Sequence, residues 1–268
     1  MVRVMSHNVW GMYARDVVKK VANRNELMKK VYFKYLPDVI GTQEFSTDIR
    51  EHNLPGMLSP DYAELDLSRE TASLGVANLF TPMFYRAGRL EVMEKGFHLY
   101  DRAFNNSDSK GVAYASFIDR SSGRVFSVCN THFWWKPGPE HDAARVVNAK
   151  DILNIASRLP GPVIIMGDLN CTSSSDAYAT LVAGGMSDVR HVAPETTDRH
   201  THHPYPVYDE ASGLFSAAPY ESLERKISID HIFIDNNHAG CVRKFEVLAD
   251  DDSLTTSDHC PIFVDFEP

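Results

Sequence analysis

Apolar residues run along this chain in short blocks, and several blocks end in polar residues able to do chemistry. Val163-Ile164-Ile165-Met166 follows Pro160-Gly161-Pro162 and leads into Gly167-Asp168-Leu169-Asn170. A β-branched run bounded by Pro and Gly predicts a buried strand. Side chains alternate along a strand, so Asp168 and Asn170 are expected to leave its end on one side. Gly167 would let backbone or ligand come close. Val2 to Asn8 also reads as a strand, ending in Ser6-His7-Asn8-Val9-Trp10-Gly11. A helix is predicted from about Asp16 to Leu36, where Val17, Val21, Met28, Val31 and Tyr35 recur at helical spacing. Lys19, Lys20, Arg24, Lys29, Lys30 and Lys34 read as its solvated face. Pro37 stops it, and Asp38 to Glu44 forms a second buried strand that closes on a carboxylate. Strand, helix, strand in this order predicts a layered α/β fold.

Helical character returns around Ser46 to His52, and residues 53–73 are mixed and turn-rich. From Leu74 the pattern becomes strand-like, with strands predicted at Gly75–Phe80, Met83–Arg86, Arg89–His98, Val112–Asp119 and Val125–His132. The hairpin turn Asp119-Arg120-Ser121-Ser122-Gly123-Arg124 makes its flanking strands antiparallel, so the sheets should be mixed. Pro137-Gly138-Pro139 precedes a helix from about Glu140 to Leu159, whose inner side would carry Ala144, Val147, Ile152, Ile155 and Leu159. Ser173-Ser174-Ser175-Asp176 reads as the cap of a short helix to about Ala183. Residues 188–226 are long, polar and irregular, as functional loops are. Strands at Ile229–Ile234, Val242–Leu248 and Ile262–Phe266 complete the chain.

Composition narrows the function classes. With 268 residues, 43% of them hydrophobic and 24% charged, and no visible linker, the chain reads as one globular domain spanning 1–268. No apolar run approaches the roughly 20 residues that span a bilayer, and Met1-Val2-Arg3-Val4-Met5 starts a strand rather than a signal peptide. Cys129, Cys171, Cys241 and Cys260 form no Cys-x-x-Cys pair and read as reduced thiols. A cytoplasmic location without stable membrane association is expected, and no obligate protein partner is evident. A net charge of −9 argues against avid nonspecific coating of DNA. It leaves nucleic acid open as a substrate, because a local basic groove or bound metal ions can offset it.

Chemistry-bearing residues stand at the ends of strands far apart in sequence: Asn8, Glu44, Asn130 and His132, Asp168 and Asn170, Asp230, and Ser257-Asp258-His259. Placing them after apolar strands makes sense if they converge, since sites in layered α/β proteins form at strand ends. Convergence would offer Glu44, Asp168 and Asp258 as hard oxygen ligands for Mg²⁺ or Mn²⁺, and two histidines for proton transfer or phosphoryl contact. No Cys/His zinc spacing competes.

The ordered set His-Asn-Val-Trp at 7–10, Gln-Glu at 43–44, Asn-Thr-His at 130–132, Gly-Asp-Leu-Asn at 167–170, Ile-Asp-His-Ile at 229–232 and Ser-Asp-His at 257–259 resembles the endonuclease/exonuclease/phosphatase superfamily. Single motifs are weak, but six in order from Asn8 to His259 cover nearly the whole chain. The resemblance implies a four-layer α/β sandwich with two central mixed sheets flanked by helices. It implies Glu44 as principal metal ligand, helped by Asn8 and Asp258, with Mg²⁺ as cofactor and Mn²⁺ as a substitute. Asp168 would orient or deprotonate the attacking water, and Asn170 would hold a phosphate oxygen. His259 would contact the phosphoryl group or act as base, with Asp230 fixing its tautomer. His132 would stabilise the transition state or protonate the leaving oxygen. A cation and hydrogen-bond donors neutralising charge on an in-line displacement is the common physical logic.

Three further residues are candidates for substrate binding. Trp134, beside Trp135 and just past His132, could offer an aromatic wall to a base or sugar, against packing on the Pro137-Gly138-Pro139 turn. Arg145 lies on the following helix, where a structural salt bridge competes. His202 belongs to Arg199-His200-Thr201-His202-His203-Pro204-Tyr205, read as a substrate rim more readily than as a second metal site. Lys110, at a strand start, could reach a phosphate but reads more simply as solvated surface. His231 alternates away from Asp230 and should be structural. Cys171 and Cys260 read as packing residues. The leading function is a metal-dependent phosphodiesterase acting on a phosphoester substrate, nucleic acid or nucleotide-like. The alternative is a phosphomonoesterase for an inositol phosphate, lipid headgroup or sugar phosphate. A binding module without catalysis would lack one of Glu44, Asp168, Asn170 or His259, and all are present.

Overall fold

A computed structural model of the chain describes residues 1–11, 21–105, 109–222 and 226–268. Two mixed sheets lie face to face. The first joins seven strands in the spatial order Glu195–Thr196, Val242–Val247, Ile262–Phe266, Val2–Asn8, Val39–Gln43, Met83–Tyr85 and Ala63–Glu64. The second joins six, in the order Leu90–Leu99, Gly111–Asp119, Val125–His132, Val163–Asp168, Asp230–Asp235 and Met186–Asp188. The strands flanking the hairpin turn are antiparallel, as expected, while Val125–His132 and Val163–Asp168 run parallel. Parallel strands need a crossover, and the Pro139–Ala156 helix supplies it.

Alternation assigns the layers. Val2, Val4, Val39, Phe126, Val128, Ile164, Met166, Ile232, Val264 and Phe266 fill the core between the sheets. The opposite faces carry the helices. Met5, Ile40 and Phe263 pack with Met28 and Val31 of the Val21–Tyr35 helix. Cys129, Ile165 and Phe233 pack with Ala149, Ile152 and Ile155 of the Pro139–Ala156 helix. Helix, sheet, sheet and helix give the expected four-layer sandwich. Among the described residues, no helix is long and apolar enough to cross a membrane.

Three local expectations fail. Gly75–Phe80 is not a strand: the N–H groups of Gly75 and Val76 instead bond to Ala72 O and Thr71 O, closing the Ser68–Ser73 helix. The segment 188–226 is less irregular than its composition suggests, since it holds the Val189–Val192 helix and a hairpin of Val207–Asp209 with Leu214–Ser216. Arg24, read as part of a solvated helix face, is only 2% exposed. The beginning of that predicted helix, with Val17, Lys19 and Lys20, lies outside the described residues.

Candidate active site

The alternation that builds the core also aims the polar residues. Asn8 shares its strand face with Val2 and Val4, His132 with Phe126 and Val128, Asp168 with Ile164 and Met166, and Asp230 with Ile232 and Ile234. All four therefore stand at the rim of the inter-sheet core. Register sets them side by side, since His132 pairs with Asp168 across one ladder and Asp168 with Asp230 across the next. Glu44 needs a different device. Gln43 continues the inner face of its strand, so a regular strand would aim Glu44 at the outer helices. Glu44 instead has φ +57, in the left-handed region, which ends the strand. Gly11 permits the close approach required there, since a Cβ on it would lie 1.7 Å from Glu44 O. Gly167 has φ +151, and a Cβ would lie 1.9 Å from Thr131 O. The partner it admits is thus backbone of the adjacent strand.

Asn8 joins the two sheets at the site. Its Nδ2 donates to Asp168 Oδ2 at 2.9 Å and to Glu44 Oε1 at 3.3 Å. Its Oδ1 accepts the Trp10 N–H at 3.0 Å, so in this arrangement Asn8 orients the carboxylates with its nitrogen rather than offering its oxygen beside them. His132 Nε2 lies 3.3 Å from Asp168 Oδ2 and 3.9 Å from Glu44 Oε1. Asn170 Nδ2 approaches the same nitrogen at 3.1 Å and also donates to Phe133 O, while its N–H donates to Asp168 Oδ1 at 2.8 Å. Behind this group, Gln43 Nε2 donates to Asn130 Oδ1 at 2.6 Å, and Asn130 Nδ2 donates to Thr42 O at 2.9 Å. Asn130 thus ties one sheet to the other beneath the site.

Lys110 departs most from its expected place. It is 4% exposed, and its Nζ lies 2.7 Å from His132 Nε2. Burial pulls its pKa down to about 8, with Glu44 and Asp168 opposing that fall. Lys110 and Asn170 both approach Nε2, the ring nitrogen that also faces Asp168.

On the other side of Asp168, His259 Nδ1 sits 2.9 and 3.1 Å from the two oxygens of Asp230. Burial disfavours a proton on His259, but the Asp230 and Asp258 carboxylates outweigh it and hold the pKa well above the ordinary range. Thr201 fixes the pair: its hydroxyl donates to Asp230 Oδ2 at 2.6 Å and accepts the N–H groups of Ile229 and Asp230. A short antiparallel bridge between His202 and His259 secures that loop. Burial raises Asp258 to about 6, and the neighbouring Glu44 and Asp168 charges add to the rise. Asp168 itself is held well below the carboxylate range, because hydrogen bonding and charge from His132 outweigh its burial.

The donor set fits a hard divalent cation. Glu44, His132 and Asp168 each bring a ligand atom within 4.8 Å of the others, as do His202, Asp258 and His259, and Asp168, Asp230 and His259. Carboxylate oxygens dominate the cluster, and Glu44 and Asp168 both add negative charge at Asp258.

The three substrate-binding candidates separate. His202 lies at the site, its ring 5.3 Å from that of His259 and its Nε2 3.8 Å from Asp258 Oδ2. Trp134 is 7% exposed and donates its indole N–H to His141 Nδ1, as the packing reading expects. Arg145 is buried, donates to Trp134 O and Lys136 O, and pairs with Asp142, so its guanidinium braces the turn after His132. His231 faces the outer layer, as expected, between Asp188 and Cys171 O. Sequence reasoning missed Thr201 and Arg24. Arg24 donates to the carbonyls of Val9, Trp10 and Thr256, joining the turn after Asn8 to the turn before Asp258. A strong cation amid the apolar spacing of a helix was the available signal.

Among solved structures, an endonuclease/exonuclease/phosphatase from Bacteroides vulgatus is 24% identical, with TM-score 0.73 over 99% of this chain and 98% of that one. A mannosyl-6-phosphatase of Bacteroides thetaiotaomicron is 19% identical, with TM-score 0.76 over the whole of both chains. TDP2 of D. rerio, complexed with a single-strand DNA product, is 18% identical, with TM-score 0.70 over 100% of this chain and 99% of that one. At these identities the likeness concerns the fold. No curated protein matches the sequence. The model of the endonuclease/exonuclease/phosphatase family matches residues 5–259, from the first site strand to His259, and the chain belongs to that family.

Proposed function

We propose that this protein hydrolyses a phosphodiester with the help of Mg²⁺, for which Mn²⁺ can substitute. One observation carries the reading: the carboxylates of Glu44 and Asp168, bridged by Asn8, lie 3.9 and 3.3 Å from His132 Nε2, on which Lys110 and Asn170 also converge. Glu44 and Asp258 would hold the cation, which would supply positive charge against the negative charge that develops on the phosphoryl group. Asp168, ionised at neutral pH, orients or deprotonates the attacking water. Asn170 and His132 donate to the oxygens that gain charge, and His259, held by Asp230, presents its other ring nitrogen to the phosphoryl group.

A phosphomonoester is the second reading, and Lys110 is the observation that favours it. A dianionic phosphoryl group calls for more positive charge than a diester, and a buried ammonium beside His132 offers it. The fold-level likeness to a mannosyl-6-phosphatase agrees with that reading, and the likeness to TDP2 with the first. Hydrolysis of bis(p-nitrophenyl) phosphate against p-nitrophenyl phosphate, in Mg²⁺ and in chelator, separates them. Mg²⁺-dependent release from the diester, absent in Asp168→Ala, is the expected result. Release from the monoester alone selects the second reading. A wild-type rate in Asp168→Ala would sink the proposed centre.

A further inference from the structure

With Trp134 packed on His141, an exposed aromatic pair stands at a different place. Trp10, two residues past Asn8, stacks on Tyr205 of the long loop, with ring centroids 4.7 Å apart and planes tilted by 36°. Both rings adjoin the site. The Trp10 N–H is held by Asn8 Oδ1, and Tyr205 is three residues past His202, whose Nε2 lies 3.8 Å from Asp258 Oδ2. Tyr205 is nevertheless 56% exposed, and Trp10 is half-buried. Leaving a large aromatic pair at the mouth of a polar site forgoes burial that each ring would otherwise gain.

The main chain is restrained at both residues. Trp10 has φ +48, an uncommon conformation for a bulky residue, shared at this site by Glu44 and Asn170. Its carbonyl is held by Arg24, whose guanidinium carbon lies 5.1 Å from the indole centroid. Tyr205 stands between Pro204 and Pro206, just past the point where His203 N–H bonds to Asp258 O. Two prolines and a backbone anchor restrict its main chain. A preset aromatic surface binds a flat partner with little ordering cost.

We propose that Trp10 and Tyr205 form a stacking wall that selects phosphoesters carrying a ring close to the phosphorus. The proposal rests on the phosphoester reading above and adds the class of group that the ester bears. A nucleobase would stack by its π face, and a hexose would lay its C–H face on the same surface; the shared requirement is a flat, weakly hydrated ring.

Calorimetric binding in Mg²⁺ tests this, with Asp168→Ala as the parent so that ligands persist. Three ligands are compared: glycerol 3-phosphate without a ring, glucose 6-phosphate with a sugar ring, and adenosine 5′-monophosphate with a base. The expected result is at least about fivefold tighter binding of a ring-bearing ligand. That margin should vanish in Trp10→Ala and in Tyr205→Ala, while glycerol 3-phosphate binding is kept. Tyr205→Ala, at an exposed loop position, guards against misfolding of the Trp10 variant. A margin for glucose 6-phosphate assigns a sugar, and one for adenosine 5′-monophosphate a base. Equal affinity for all three ligands, or an equal loss for all three in both variants, overturns the wall and leaves the phosphoester reading standing. No binding of any ligand by the folded parent overturns the wall, and the phosphoester reading is decided separately by the bis(p-nitrophenyl) phosphate assay.

Discussion

Lys110 Nζ lies 2.7 Å from His132 Nε2, with both side chains buried. An ammonium at that distance brings positive charge to where the phosphoryl oxygens are proposed to sit. Lys110→Met keeps the aliphatic stem and removes the charge. We expect kcat to fall by about 100-fold, the scale for losing one preorganised donor to a charged transition state. Steady-state kinetics at saturating Mg²⁺ check this, and an unchanged kcat would make Lys110 a spectator.

Glu44→Gln should act on the metal. The half-saturating Mg²⁺ concentration for activity should rise by about tenfold or more, since a neutral amide replaces a charged oxygen ligand. A metal titration of initial rate reads this directly. A lowered rate with unchanged metal dependence would move the cation away from Glu44.

Asp230→Asn leaves the size of the side chain but removes the charge from His259. A fall in kcat of at least about 100-fold is expected if the ring must be held in one orientation, by analogy with other His–carboxylate pairs. Thr201→Val removes the hydroxyl that buttresses Asp230. Of the three bonds that hydroxyl makes, the one to the carboxylate, worth about 1 kcal/mol, predicts roughly a fivefold fall in kcat. The order of the two variants is the check; a larger effect from Thr201→Val would contradict the proposed hierarchy.

Stability should fall in acid through a pair remote from the site. Arg89 donates to Asp38 at 2.8 Å and to Asp119 at 3.1 and 3.4 Å. Burial alone would raise the Asp119 pKa, but hydrogen bonds from Arg89 and Ser121 outweigh it and hold it well below the carboxylate range. A carboxylate depressed in the folded state contributes fully above its unfolded pKa of about 3.9 and loses that contribution as pH falls further. Denaturant titrations from pH 7 to pH 2.5 should therefore show a shallower acid slope for Asp119→Asn. Because Arg89 is partly solvated, the loss at pH 7 should be about 1 kcal/mol. Parallel pH curves for the two proteins would rule out this pair as the cause.

Gly11→Ala should be destabilising by about 1–3 kcal/mol, the range for overpacking, because the new methyl meets Glu44 O. Denaturation midpoint and Mg²⁺ dependence should change together, since Glu44 must move to make room. A full-strength metal response at reduced stability would show that the shift spares Glu44.

The strand ends were readable because alternation and local punctuation agree there. Val125–His132 and Val163–Asp168 are apolar enough to be buried and end at polar residues, so both limits and facing follow from the pattern. Gly75–Phe80 looked equally apolar, but its first N–H groups were already engaged in ending a helix. Lys110 and Arg24 were misplaced for another reason. Charge predicts exposure unless buried acceptors compensate, and those acceptors arrive from the Asn8, His132 and Thr256 regions of the chain. The stack of Trp10 on Tyr205 likewise depends on a long-range pairing that no local spacing encodes.

Asn130 is bonded to Gln43 and Thr42 of the facing sheet, directly behind a centre whose groups come from both layers. Asn8 and Glu44 travel with one slab of the sandwich, His132 and Asp168 with the other. Turnover is therefore a vernier for how the slabs are aligned. A slip of about 1 Å between them can cost on the order of 100-fold in rate while leaving each sheet intact. A carboxamide that never meets substrate thus sets the mechanical tolerance of the chemistry.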